Sequence, residues 1–176
     1  MSFINPKNVL EQISIEPGSK AADFGCGHGS LTIGLAKLVG KDGVVHAIDV
    51  LKSCLESVKS RASLENLNNL NLIRANLEVL GSTGIGDNSL DLVLMANVLF
   101  QSPLKQEIFR EAHRVLKPGS RVIVVDWKIK DTRIGPESKH RVEPDDIKNM
   151  AQKTGFSYKR EFDAGEYHFG LEFVKE

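Results

Sequence analysis

Three glycines, Gly25, Gly27 and Gly29, alternate with Cys26 and His28 directly after the short apolar stretch "KAADF" at 20–24. Giving up side chains at alternate positions lets backbone N–H groups approach a ligand closely at the start of a following helix. A tight strand-to-helix turn without a ligand commonly needs one glycine, so three point to a bound molecule. Asp49 stands twenty residues beyond Gly29, at the end of the next apolar stretch. A carboxylate at that point suits a ribose diol, accepting two hydroxyl hydrogen bonds. Asp49 alone reads as an ordinary loop aspartate; paired with the glycine turn at this distance, it reads as the grip on a nucleoside.

The remaining residue types capable of chemistry are scattered. Cys26 and Cys54 lie far apart and in no metal-ligand spacing with the five histidines, so no metal site is expected. Cys26 has no partner base nearby in sequence, and Cys54 falls on an apolar helix face. His46 and His113 read as surface residues of a strand and a helix, and His28 as a polar residue within the glycine turn. Tyr167 and His168 are adjacent on the final strand, so their side chains face opposite ways.

The elements that must position the glycine turn alternate in type. "KAADFG" (20–25), "GVVHAID" (43–49), "NLNLIRAN" (69–76), part of "SLDLVLMANVLF" (89–100) and "SRVIVVDW" (120–127) read as strands. The fourth and fifth are apolar on both faces, as central parallel strands are. Helices are expected between them: one to about Val39 with Leu31, Leu35 and Leu38 on one face and Gly40 as its left-handed cap, and one with Leu51, Leu55, Val58 and Ala62 inward. A third begins at Ser102 and Pro103, turns Leu104, Ile108, Ala112 and Val115 to one side, and stops at "KPG" (117–119). Pro144 and two aspartates open a last helix that ends at Gly155. "FSYKREFD" and "EYHFGLEFVK" alternate and read as a terminal antiparallel hairpin. The fold expected is a doubly wound α/β domain over 1–176: a mostly parallel, seven-stranded sheet, helices on both faces and a C-terminal hairpin.

With 23 basic and 23 acidic residues in 176, no global field favours nucleic acid or an anionic membrane. No apolar run is long enough to span a bilayer, and the N-terminus lacks a secretory layout, so a cytoplasmic enzyme or binding domain is expected. In a sheet of this kind ligands bind beyond the carboxyl ends of the strands where their order reverses, which is the exit of the first strand. The spacing here is G-x-G-x-G, whereas dinucleotide sites show G-x-G-x-x-G/A; Ser30 occupies the third dinucleotide position and is small, which leaves a nicotinamide cofactor open.

"DFGCGHG", "AIDV", "EAHRVLKPGSRVIVVD" and the hairpin together resemble the class I S-adenosylmethionine-dependent methyltransferases, which have a Rossmann-like fold. The likeness is nearest to the small-molecule branch with the ubiquinone and menaquinone biosynthesis enzymes, and runs from about Lys7 to Val174. The resemblance implies S-adenosylmethionine as cofactor, S-adenosylhomocysteine as product and no metal. It implies the methionine part on the turn from Asp23 through Gly25, Cys26 and Gly27 to Gly29, and the ribose on Asp49. Val50 is implied near the adenine face, Asn76 and Leu77 at the adenine edge, and Ala96 under the methionine chain. Asn76 stands where the family commonly has an acidic residue and accepts through its amide carbonyl instead.

On this resemblance the acceptor pocket is expected above the sheet from Phe100, Gln101, Trp127, the 128–142 loop with His140, and the hairpin with Tyr167. Trp127 could wall an aromatic or cationic acceptor or simply pack. Lys128, Lys130, Arg133, Lys139 and Arg141 outweigh Asp131 and Glu137 on that loop, a modest basic patch or a solvated run. The fourth-strand exit, "MANVLFQS", lacks the prolines of base-amino methyltransferases and the aspartate of ribose methyltransferases. A small-molecule acceptor is therefore expected, with RNA or protein as alternative acceptors and a non-catalytic cofactor-binding module as the reading of another class. No catalytic base is assigned, nor an oligomeric state.

Overall fold

The computed structural model describes residues 4–130 and 134–176; Asp131 and Arg133 of the expected acceptor loop, and the first three residues, lie outside them. Five strands, β1 (Lys20–Phe24), β2 (Val44–Asp49), β3 (Leu70–Arg74), β4 (Leu90–Ala96) and β5 (Leu116–Trp127), run parallel where they pair. β6 (Phe156–Asp163) and β7 (His168–Lys175) are antiparallel, and the sheet order is β3-β2-β1-β4-β5-β7-β6. The order reverses between β1 and β4, so a crevice opens beyond their carboxyl ends.

One face of the sheet carries α1 (Pro6–Gln12), α2 (Thr32–Val39) and α3 (Lys52–Leu64); the other carries α4 (Lys105–Val115) and α5 (Pro144–Lys153). Period-two alternation divides the core. Phe24, Val93, Val122 and Val124 point to the α4–α5 face, where Phe109 meets Phe156 and Phe173 edge to face. Ala21, Val45, Leu92, Leu94 and Ile123 point to the other, under Leu35 and Ala36 of α2. Gly43 has no room for a side chain at the start of β2: a Cβ there would sit 2.6 Å from the Ser19 carbonyl oxygen and 2.8 Å from that of Val39.

Several expectations shift. α1 is an additional helix, capped by Asn5, whose side-chain oxygen accepts from the N–H groups of Lys7 and Asn8. Leu38 and Leu51 are exposed, and Val39 and Cys54 are buried in their place. α4 begins at Lys105, because Leu99–Gln101 first form a 3₁₀ turn; the Ser102 hydroxyl accepts from Leu104 N–H rather than capping a helix at Pro103. "KPG" lies within β5 as an irregularity, with register jumping from Leu90↔Leu116 to Leu92↔Arg121. β7 does not alternate in burial, since it pairs with β5 on one edge and β6 on the other and is covered on both faces.

Candidate functional site

The glycine turn leaves β1 with Gly25, Gly27 and Gly29 all at positive φ, +73°, +50° and +82°. These values are costly for any residue with a Cβ. The Gly25 and Cys26 N–H groups both donate to the Ile48 carbonyl, at 2.9 Å each, which ties the turn to the end of β2. The three glycines differ in what they leave open. A Cβ on Gly25 would collide with Val98, and one on Gly29 with Val58 of α3, whereas one on Gly27 would meet nothing within 4 Å. Gly27 is the position that bares backbone to the crevice. Gly29 does not line it; its missing side chain lets α3 pack against the turn.

The crevice is a cleft of about 850 Å³. Asp23, Gly25, Cys26, Gly27, Asp49, Val50, Asn76, Leu77 and Ala96 all line it, so nine of the ten positions expected around a nucleoside-bearing ligand are brought together. The Asp49 carboxylate accepts from Gly27 N–H through Oδ2 and from Leu51 N–H through Oδ1, both at 2.9 Å. Each oxygen keeps a further lone pair for an incoming hydroxyl. Val50 and Leu51 are 51% and 57% exposed beside it, an apolar rim suited to the face of a planar ring. The Asn76 side-chain oxygen accepts from Glu78 N–H at 3.0 Å, which orients the amide at the cleft edge.

Asp23 is buried at the cleft floor, its Oδ2 accepting from the Thr32 hydroxyl. Burial pushes its carboxyl up to about 6, against the Thr32 hydrogen bond and with help from the charge of Asp49. The Cys26 thiol is driven far up by burial and by Asp23 and Asp49, which leaves it a packing group rather than a nucleophile. Sequence reasoning missed Ile4, which lines the cleft from the N-terminal segment, and Glu78, which accepts from the Ser102 hydroxyl. It also placed Cys54 in the core alone, although Cys54 lines the cleft. Only contacts across the chain reveal these.

Asn97, just beyond β4, also lines the cleft and holds φ +59°, an uncommon conformation for a residue with a side chain. Its backbone N–H donates to Val125 O, its carbonyl accepts from Gln101 Nε2, and its side-chain oxygen lies 3.1 Å from His168 Nε2. Because an amide oxygen only accepts, the imidazole donates from Nε2. Burial pushes His168 down to about 4, aided by the charges of Lys128 and Arg141, so the ring is neutral near pH 7.

Trp127 and Tyr167 do not join the acceptor side as expected. The indole is 5% exposed and packs against His168 with centroids 4.2 Å apart and the rings tilted by 44°, under the Arg141 guanidinium. Gly135 packs directly against it, where a Cβ would collide with the ring. Tyr167, in the β6–β7 connection, lines neither hollow. Phe100, Gln101 and His140 do come together, in a second hollow of about 710 Å³ that shares Gln101 and Ser102 with the cleft. Among the described residues no group of three or more His, Cys, Asp or Glu is placed to hold a metal ion. Nor is any helix among them long and apolar enough to cross a membrane.

A family profile described as "Methyltransferase domain" matches residues 15–168. The chain is 36% identical over 121 residues to a demethylmenaquinone methyltransferase of Staphylococcus epidermidis, covering 68% of this chain and 48% of that one. It is 32% identical over 120 residues to the enzyme of that name from Geobacillus stearothermophilus, covering 68% and 50%. The chain thus spans about half the length of these relatives. A crystal structure of an S-adenosylmethionine-dependent methyltransferase from Aquifex aeolicus superposes with a TM-score of 0.87 at 24% identity, over 97% of this chain and 89% of that one.

Proposed function

The chain belongs to the methyltransferase-domain family, and from that premise we propose that it binds S-adenosylmethionine in the cleft and transfers the methyl group to a small-molecule acceptor, releasing S-adenosylhomocysteine. The observation that carries this reading is the pairing of Gly27 with Asp49. Bare backbone faces the cleft at one, and a carboxylate prearranged by two backbone N–H groups faces it from the other.

The residues present fit the cofactor. Asp49 would hold the two ribose hydroxyls, with charge-assisted hydrogen bonds. Val50 and Leu77 would sandwich the adenine, and Asn76 would meet its edge. Asp23, buried near the turn, is placed to face positive charge on the methionine part, and such a partner draws its raised carboxyl back toward ionisation. When bound, S-adenosylmethionine supplies a methyl group already activated on a sulfonium. The protein's tasks are then to align the acceptor in line with the methyl–sulfur bond and to exclude water. Ala96, small and at the end of β4, lines the cleft together with Asn97 and Gln101, whose amide groups would flank an incoming acceptor.

The relatives named for demethylmenaquinone make a reduced quinone the first acceptor to test. Two free thiols suit a reducing compartment such as the cytoplasm. Calorimetric titration with S-adenosylmethionine, S-adenosylhomocysteine and NAD separately tests the cofactor. Binding of the first two and not the third is expected; binding of NAD alone would overturn the reading. Transfer of labelled methyl to a panel of small molecules, with RNA and protein as controls, tests the acceptor, and tight cofactor binding with no transfer to any class would favour a regulatory module.

A further inference from the structure

The second hollow differs in chemistry from the cleft it adjoins. Phe100, Val142 and Met150 give it an apolar floor, while Lys105, Lys139 and Lys153 stand around it against one acid, Asp146. This basic character is not the loop charge run read from the sequence. Lys128 is engaged by Asp163 and the Gly165 carbonyl, and Lys130 donates to the Glu166 carbonyl. Arg141 is buried and donates to the carbonyls of Pro136, Lys128, Lys130 and Ile134. Of the described basic residues in that run, Lys139, paired at its exposed end with Glu137 at 2.6 Å, and the buried Arg141 line the hollow; Lys105 comes from the start of α4, where its ammonium donates to the Ser102 carbonyl, and Lys153 from the end of α5.

Arg141 therefore acts as a strut. By gathering carbonyls from both sides of the loop it fixes the stretch that presents Lys139 and His140, so the rim is shaped before a ligand arrives. Three lysines around an apolar floor, only one of them paired with a carboxylate among the described residues (Lys139 with the exposed Glu137), match a compact molecule with an aromatic or aliphatic body and an acidic end. The hollow meets the cleft at Gln101 and Ser102, beside Ala96 and Asn97.

Resting on the cofactor assignment proposed above, we propose that this hollow seats the methyl acceptor and selects for one carrying an ionised acidic group, held by Lys105, Lys139 and Lys153 while the body lies on Phe100 and Met150.

Protein saturated with S-adenosylhomocysteine, its binding first verified by calorimetry, is titrated with 2-naphthoate and separately with the uncharged 2-naphthamide, followed by amide chemical shifts. Naphthoate is expected to move resonances at 100–105, 139–142 and 149–153. It should bind at least about fivefold more tightly than naphthamide, the scale of a few partly exposed charge pairs. The surface double variant Lys139→Gln, Lys153→Gln should close most of that gap and leave S-adenosylhomocysteine affinity unchanged. Equal binding of the two probes, shifts confined elsewhere, or an unaltered preference in the variant would overturn the proposal. Failure of S-adenosylhomocysteine to bind at all would instead remove the cofactor assignment, and registers in the calorimetry before any probe is added.

Discussion

Asp49 does two tasks with four lone-pair directions. It fastens the glycine turn to the start of the β2–α3 connection through Gly27 and Leu51, and it offers what remains to the ligand. Asp49→Ala should weaken cofactor affinity by about 1–3 kcal/mol, the loss of hydrogen bonds to a charged acceptor. Because the turn also loosens, Asp49→Asn should recover part of the fold stability but little of the affinity; calorimetry and thermal melts separate the two. Asp23 adds a pH dependence. Its folded-state carboxyl, raised to about 6, binds protons that the unfolded chain has released above about 4, so its burial opposes folding increasingly as pH rises from about 4 through 6. A cation bound in the cleft prefers Asp23 ionised, so cofactor affinity should fall as pH drops through 6, with proton release on binding measurable near pH 6 in buffers of different ionisation enthalpy. Flat affinity from pH 5 to 7.5 would dissociate Asp23 from the ligand.

The sheet and its helices were legible in the sequence wherever a local signal was strong: an unbroken apolar run in β4, apolar residues at three- and four-residue steps in α3, and start and stop residues in α5. Reading failed where tertiary contact outranks local preference. Ser102–Pro103 carries a good start signal, yet the 3₁₀ turn at Leu99–Gln101 occupies the entry and delays α4 to Lys105. Trp127 sits at the correct strand end, but a single aromatic cannot reveal that His168 and Gly135 will enclose it. That these positions would share one cleft was legible because they lie close to strand ends that the alternation fixes. Glu78 and Ile4 were not, since they arrive through turns and an end segment with no periodic signal. Gly43 shows how tightly the elements close. In Gly43→Ala the added methyl would press on backbone oxygens of Ser19 and Val39, atoms that cannot swing aside. The gain in backbone entropy for replacing glycine is about 0.4–1 kcal/mol. Overpacking of about 1–3 kcal/mol opposes it, so chemical denaturation should show a net loss.

Across the whole molecule, the two ends of the described chain are tied at one point. Glu172 of β7 is 1% exposed, meeting Arg160 at 2.6 Å and Arg121 and Lys159 at 3.1 Å each. Arg160 and Arg121 also donate to the carbonyls of Gln12 and Ser14, which anchors the segment following α1. Burial works to raise the Glu172 carboxyl, but the hydrogen bonds from Arg160, Lys159 and Arg121 outweigh it and hold it below the usual range. Its contribution is therefore present above an unfolded-state value near 4.5 and is lost as pH falls through the lower folded value. Glu172→Gln should destabilise by about 1–3 kcal/mol at pH 7, because the buried side chain loses its charge-assisted hydrogen bonds while the partly exposed Arg160, Lys159 and Arg121 turn to water. Melts repeated at pH 3.5 should find variant and parent closer together; an equal gap at both would refute the ionic account.

The placing of β7 has a further consequence for the order of assembly. β6 leaves the ribosome before β7, yet in space it lies outside it and pairs with no earlier strand of the sheet. During synthesis β5 must therefore wait with a bare edge, rich in valine, until its neighbour emerges and the hairpin docks as a unit. Ribosome-stalled chains ending just short of His168 should be sensitive to protease and sticky toward chaperones, and those extended past Lys175 should shed both properties together.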